Sequence, residues 1–193
     1  MADRDEARQL TLEAMAAMPP AAQLLSPLDY IFADHFRQRT LCAALDRIAS
    51  QRNVDCELAA EALRFMRDEF GLHVRDEEED LFPLLRRRTA PEDRIEDTLD
   101  ELCQEHDADR KDAREIIDGL TGLIDGMAKR SPTRGFRRLL ERFAANERRH
   151  LLIENAIVLP LARALLTVDD LRNLGRRMAA RRGLDYPGTP HAV

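Results

Sequence analysis

Two histidines of this chain open the same sequence pattern. HVRDEEEDLFP at 73–83 and HLLIENAIVLP at 150–160 both read His, three residues, Glu, four residues, a large apolar residue and Pro. On a helix, His and Glu four residues apart share one face and lie about 6 Å apart along the axis. An imidazole nitrogen and a carboxylate placed this way can bind one cation, so the repeated pattern indicates metal binding.

His35 and His106 belong to a second repeated pattern, DHFRQR and EHDADR, in which an acidic residue precedes the histidine and Arg follows four residues later. The chain therefore resembles an internal duplication, and each half supplies two histidines and one glutamate. Two facing halves predict two metal ions, each held by two histidines, with Glu77 and Glu154 as bridges. A single ion is also compatible with the spacing, and His, Glu ligand sets suit iron, manganese or zinc.

Helical periodicity shows which elements must position these residues. Each histidine falls near the middle of a long segment and on its apolar face; the same inward faces are expected to include Phe32 and Ile157. Two buried carboxylates without partners would cost several kcal/mol each, whereas a cation offsets both charges. Pro83 and Pro160 are expected to kink or end their helices. The four segments span about 28–49, 55–85, 91–127 and 131–166.

The connections between these segments are short, so neighbours should run antiparallel. The sequence therefore predicts an all-α protein: an up-down-up-down four-helix bundle with short flanking helices at about 5–18 and 168–182. We expect residues 1–25 to form the N-terminal flanking helix and a linker. Residues 26–166 should form the bundle, and residues 167–193 a C-terminal helix with an irregular tail.

Four further charged residues lie one helical turn from the histidines. Arg39 and Arg110 follow theirs, and Glu69 and Glu147 precede theirs on helices that should run the opposite way. We expect them to meet as a layer of ion pairs that orients the metal ligands. Alternatively, the long side chains extend to water, or one of the glutamates is an additional ligand.

Composition limits the partners of the chain. The 193 residues are 44% hydrophobic and 34% charged, enough to bury a core and remain soluble. A net charge of −6 argues against nucleic-acid binding, and the basic cluster at 176–182 and the carboxylates of Glu78 and Glu79 are expected to be solvated. The sequence shows neither a secretory signal nor an apolar run of about 20 residues, so we expect a cytoplasmic protein without membrane contact.

The repeated histidines and the His-x-x-x-Glu pairs, of which the first precedes Leu-Phe-Pro, resemble the hemerythrin family, in its bacterial branch the HHE cation-binding domain. The resemblance covers about residues 26–166. It implies a four-helix bundle with a non-haem centre of two iron ions, bridged by an oxo or hydroxo group. The ligands that it implies are His35, His73, Glu77, His106, His150 and Glu154.

One departure from the family pattern bears on function. Oxygen-carrying hemerythrins place another histidine four residues after the third-helix histidine, where this chain has Arg110. The two ions would then have similar, lower protein coordination, which puts simple oxygen carriage in doubt. The expected function is binding or sensing of dioxygen, nitric oxide or iron. A di-iron oxidase or peroxidase-like enzyme acting on peroxide is the alternative, and a metal-free structural bundle is a third. A protein partner or a homo-oligomer is compatible with each of them.

Overall fold

The computed structural model describes residues 2–126 and 131–188, and this part of the chain forms helices and no strand. The all-α prediction is thereby confirmed. Met127, the expected last residue of the third helix, and the end of the C-terminal tail lie outside the described residues. The α-helices are α1 (Ala2–Ala16), α2 (Pro27–Ser50), α3 (Cys56–Asp68), α4 (Phe70–Asp76), α5 (Phe82–Arg88), α6 (Ile95–Asp125), α7 (Arg134–Ile153), α8 (Leu159–Leu165) and α9 (Val168–Arg181).

The four long segments expected from the sequence correspond to α2, α3–α5, α6 and α7–α8. Side-chain caps fix two of their starts: Asp55 accepts a hydrogen bond from the backbone of Leu58, and Thr133 from that of Phe136. Helix α2 packs against α3 and α7, and α6 packs against the same two helices. Each segment therefore packs against at least two of the others around a shared interior. The up-down-up-down order and the domain boundaries stay predictions.

Each His-x-x-x-Glu copy contains one turn of π-helix that begins at its glutamate, Glu77–Leu81 in one and Glu154–Val158 in the other. The prolines that follow, Pro83 and Pro160, do not end their helices, which continue to Arg88 and Leu165. A proline ring in a regular α-helix would meet the carbonyl four residues earlier. The π-turn widens the helix at that point, so the proline is accommodated.

The apolar interior consists of two separate clusters. One is built from the parts of α2, α3, α6 and α7 on one side of the histidines, and α1 contributes Leu12 and Met15 to it. The other contains residues of α2, α5, α6 and α8, together with Leu174 and Met178 of α9. Both flanking helices thus bury apolar side chains against the four long segments. None of the described helices combines the length and the apolar character needed to cross a bilayer.

The basic end of α9 is only partly solvated: Arg176 and Arg177 are exposed, but Arg181 and Arg182 are not, contrary to expectation. Arg181 and Arg182 lie 2.7 and 2.6 Å from the carboxylate of Asp76, and Arg177 lies 2.7 Å from that of Asp80. Asp76 and Asp80 are buried on either side of the glutamate that begins the first π-turn. Because a buried carboxylate requires a partner, these arginines attach α9 to that turn.

Candidate metal centre

The structure brings the six predicted ligands together between the two apolar clusters. All six side chains are buried, and none is more than 3% exposed. They form two groups in which one ligand atom from each residue lies within 4.8 Å of all the others. The two groups share Glu77 and Glu154. One group adds His35 and His73, and the other adds His106 and His150.

The two oxygens of Glu77 face different histidine pairs. Its Oε1 lies 3.3 Å from Nε2 of His73 and 3.7 Å from Nε2 of His35, whereas its Oε2 lies 3.5 Å from Nε2 of His106. A carboxylate in this orientation can give one oxygen to each of two cations. The Glu77 carboxylate is therefore oriented as a bridging ligand would be.

Glu154 has the same orientation from the opposite copy of the sequence pattern. Its Oε1 lies 3.0 Å from Nε2 of His150, and its Oε2 lies 3.4 Å from Nε2 of His35. The pair His150 and Glu154 thus repeats the four-residue spacing of His73 and Glu77. Each cation position is offered two imidazole nitrogens and one oxygen from each of two carboxylates.

Several inward atoms of this cluster form no well-directed hydrogen bond within the described structure. These wholly buried atoms are Nε2 of His35 and His73 and both oxygens of Glu77 and Glu154, which face one another at 3.0–3.7 Å. Burying charged groups with imperfect pairing is costly, and a cation between them would offset that cost.

The second histidine pair also matches the geometry of adjacent ligands. Nε2 of His106 and Nε2 of His150 are 2.9 Å apart. Two nitrogens that bind one ion at right angles, each at about 2.1 Å, are separated by about 3 Å. Imidazole nitrogens and carboxylate oxygens are ligands for first-row transition metals, so the residues present fit such ions.

The outward nitrogen of each of the four histidines in the centre has an acceptor from a different helical segment. An acceptor at Nδ1 fixes the hydrogen there and leaves the lone pair of Nε2 directed at the centre. The four Nδ1 contacts are His35 with Asn155 at 2.9 Å, His73 with Asp34 at 3.2 Å, His106 with Glu78 at 3.0 Å and His150 with Glu105 at 2.9 Å.

These outer acceptors follow the internal duplication, although their role was not predicted. Asp34 and Glu105 are the acidic residues that precede a histidine in the second repeated pattern. Glu78 and Asn155 each follow the glutamate of a His-x-x-x-Glu copy. The position of these residues in the repeats was therefore the sequence signal that could have identified them as acceptors. Glu78 was expected to be solvated, but it bonds to His106 and to Arg110 instead.

Burial and neighbouring opposite charges shift the pKa values of the predicted ligands in opposite directions. Burial alone would lower the pKa of His73, but Glu77 and Asp34 hold it well above the usual value. Burial would raise the pKa of Glu77, but His73 and His35 hold it well below its usual value. For His150, Glu154 likewise outweighs burial and raises the pKa to about 10. The metal-free site therefore contains charged His and Glu partners, and a cation must displace protons.

The expected layer of Arg39, Glu69, Arg110 and Glu147 does not form. Arg39 is exposed, and Arg110 bonds to Glu78 on the outer side of the centre. The buried arginine of α2 is Arg37, two residues earlier, which pairs with Asp34 and with Glu69. The prediction that Arg39 lies in this layer was therefore wrong. Helix α2 is buried on several sides, so its inward face is wider than one stripe.

Glu147 is buried one turn before His150, and its carboxyl group has no ion-pair partner in the described chain. Burial raises its pKa to about 8; His150 opposes this rise and Asp109 adds to it. Asp109 is also buried, which raises its pKa to about 6. Gln38 of α2 is fully buried with both amide atoms unpaired. Polar groups therefore lie beside the centre on three of the four segments.

Comparison with known proteins bears directly on this site. The family profile of the hemerythrin HHE cation binding domain matches residues 26–162, which include all six predicted ligands. A search of curated proteins found no match. The profile covers well over half of the chain and ends within α8. This protein therefore belongs to the hemerythrin HHE cation-binding domain family, as the resemblance implied.

Proposed function

We propose that this protein holds two non-haem iron ions in a His4Glu2 centre and that it binds or senses a small molecule there. One observation carries the proposal: the two four-residue groups share Glu77 and Glu154, and each carboxylate directs its oxygens at different histidine pairs. Such an arrangement supports two cations with bridging carboxylates better than one cation. Membership of a cation-binding family supports the same conclusion.

The choice of iron rests on family membership, and the structure is compatible with it. Each position would receive two histidine nitrogens and two carboxylate oxygens from the protein. This donor set leaves coordination positions for an exogenous ligand, as in other non-haem iron sites with histidine and carboxylate ligands. When bound, iron would supply reversible redox and ligand-binding chemistry, and the protein would supply the donors and their orientation.

Burial of the centre limits the size of its ligand. The six side chains are almost inaccessible to solvent, with Glu77 and Glu154 each only 1% exposed. An organic substrate of ordinary size would need a cleft that reaches them. A diatomic molecule or a peroxide can instead arrive through small fluctuations of the helices. We therefore propose dioxygen, nitric oxide or peroxide as the ligand class, with iron itself as a sensed species.

A metal-free structural bundle accounts less well for the same residues. It would bury two glutamates whose oxygens form no well-directed hydrogen bond and meet only histidine nitrogens at 3.0–3.7 Å. Burying such charges costs several kcal/mol, a large share of the about 5–15 kcal/mol by which domains are stable. Structural polar networks are usually satisfied within the protein. A cation removes this deficit.

The test is the metal content and absorption spectrum of protein purified from iron-replete cells. We expect about two irons per chain and near-ultraviolet absorption from a bridged di-iron centre, with a change on exposure to dioxygen or nitric oxide. Glu154→Gln should lose iron, while Glu141→Gln, an exposed position on α7, should retain it. Negligible metal, or one zinc per chain, would overturn the proposal.

Turnover of peroxide is the second candidate function, and Glu147 favours it. Its carboxyl group is buried next to the position of His150, and burial raises its pKa to about 8. In the metal-free protein such a group holds a proton at neutral pH, and a protonated carboxyl group beside the centre would supply a general acid for peroxide chemistry. Sustained consumption of hydrogen peroxide by iron-loaded protein, reduced in Glu147→Gln with unchanged iron content, would support an enzyme. Binding without turnover would exclude this candidate.

A further inference from the structure

The outer hydrogen bonds of the four histidines are not equivalent. Three acceptors are carboxylates, from Asp34, Glu78 and Glu105, and each of them also pairs with an arginine. The fourth acceptor is the neutral side-chain amide of Asn155, whose Oδ1 lies 2.9 Å from Nδ1 of His35. Asn155 occupies the position in its sequence copy that Glu78 occupies in the other. One of the four Nδ1 acceptors generated by the duplication is therefore uncharged.

This difference separates the two cation positions. The position between His106 and His150 has two histidines backed by carboxylates, from Glu78 at 3.0 Å and Glu105 at 2.9 Å. The position between His35 and His73 has only one, because Asn155 backs His35. The shared glutamates contribute equally to both positions, so they do not remove the difference.

The acceptor at Nδ1 governs how strongly Nε2 donates to a cation. A carboxylate acceptor polarises the Nδ1–H bond and makes the imidazole a better ligand. Hydrogen bonds to a charged acceptor are also roughly twice as strong as those between neutral groups. The arginines paired with the three carboxylates reduce the basicity that those carboxylates give to their histidines. They do not raise the basicity of His35, which has no carboxylate acceptor. The amide of Asn155 fixes the tautomer of His35 but adds little to its basicity.

We propose that the two positions bind divalent transition-metal ions with unequal affinity, first between His106 and His150 and then between His35 and His73, and that Asn155 sets the weaker affinity. This inference rests on the proposed function, since it assumes two cation positions. It adds that a state with one ion exists over a range of cation concentrations. Occupancy of the second position would then follow the supply of the metal.

The experiment is an anaerobic calorimetric titration of metal-free protein with iron(II), repeated by competition with a chromophoric chelator. Wild-type protein should show two binding events with dissociation constants at least about tenfold apart. Asn155→Asp, which supplies the missing carboxylate, should strengthen the weaker event about tenfold or more. Glu78→Gln should weaken the tighter event by about 10- to 100-fold.

The control for added charge is Asn146→Asp, at an exposed position of α7, which should leave both events unchanged. Circular dichroism of each metal-free variant checks that it is folded, and Glu78→Gln tests the inference independently of Asn155→Asp. Two events of equal affinity, a single event, or unchanged affinities in Asn155→Asp would overturn the inference while leaving cation binding intact. No iron binding in wild-type protein would overturn the proposed function itself.

Discussion

Asp34 is the chain neighbour of His35, but its carboxylate contacts Nδ1 of His73, on a different helix, at 3.2 Å. Glu105, the neighbour of His106, contacts His150 in the same way. Each of these acidic residues thus orients the histidine of the next helical segment in the chain. The geometry of one histidine pair therefore depends on the packing of two helices, and the ligands cannot be positioned by one segment alone.

We expect Asp34→Asn to weaken metal binding without unfolding the protein. Burial alone would raise the pKa of Asp34, but His73 and Arg37 hold it below the usual value, so the group is a carboxylate at neutral pH. The amide keeps the shape and loses the charge, so iron(II) affinity should fall by about 10- to 100-fold. Anaerobic titration measures it. Asp29→Asn, at a half-exposed ion pair with Arg163, is the control; equal affinities in the two variants would contradict the prediction.

We expect Glu147→Gln to stabilise the metal-free protein at neutral and higher pH. The folded state holds the Glu147 proton up to a pKa of about 8, whereas the unfolded state loses it near 4.5. Between these values the folded state binds more protons, so its stability falls as the pH rises. The amide removes this loss, worth about 3 kcal/mol at pH 7.

Urea unfolding of the metal-free protein at pH 4.5 and pH 8 measures this effect. Glu147→Gln should match wild type at the lower pH and exceed it at the higher pH. Glu141→Gln, on the exposed side of the same helix, should follow wild type at both. A variant with the wild-type pH dependence would show that Glu147 is ionised in the folded protein.

Arg182 should be needed for stability although it lies outside the four long segments. Its side chain is 6% exposed, contacts Asp76 at 2.6 Å and stacks over the ring of Tyr30. Arg182→Ala leaves a buried carboxylate with one partner fewer, so we expect a loss of about 3 kcal/mol in unfolding free energy. Arg172→Ala, at an exposed pair with Asp169, should change it by less than about 0.5 kcal/mol. Equal losses in chemical denaturation would contradict a specific role for Arg182.

Removal of the metal should lower the thermal stability of the protein. A cation that binds only the folded state stabilises it by about 2.7 kcal/mol at one hundred times its dissociation constant. Scanning calorimetry before and after treatment with a chelator measures the shift in Tm. In Glu77→Gln, which lacks one of the two carboxylates shared by both His–Glu groups, most of the shift should disappear. An unchanged wild-type Tm would favour the metal-free structural bundle.

The convergence of the six predicted ligands could be anticipated because local rules place each of them on a buried helix face. His73 with Glu77 and His150 with Glu154 share a face at any regular helical spacing, and the apolar residues around them identify that face as buried. The helix bounds were also close to those observed: the second segment was expected from residue 55, and Asp55 caps the start of α3. These features depend on neighbours within one or two turns.

The faces of the helices were predicted less well where a π-turn intervenes. Ile157 was expected to be buried but is 45% exposed, and its neighbour Val158 is fully buried. The π-turn adds one residue, so the inward face moves by one position along the chain. The sequence shows no period that reveals this insertion. Its proline, Pro160, was instead expected to kink or end the helix.

Helix α2 shows a second reason why a predicted inward face was wrong. Phe32 was expected on the inward face and is 56% exposed, whereas Arg37 is buried. This helix contacts α1, α3, α7 and α9, so most of its circumference touches another element. A single apolar stripe cannot describe such a helix. The partners of Arg37, which include the carbonyl of Met15, depend on tertiary packing.

The division of the apolar interior into two clusters has a consequence for how the protein opens. The six histidine and glutamate side chains of the centre lie between the two clusters. In the absence of cations, each cluster and its helices can therefore lose protection from solvent independently of the other. Hydrogen–deuterium exchange of the metal-free protein should then show two cooperative units, one near Phe143 and one near Leu99. With cations bound across the centre, both units should exchange together and more slowly. Cation occupancy would thereby determine whether this domain behaves as one folding unit or as two.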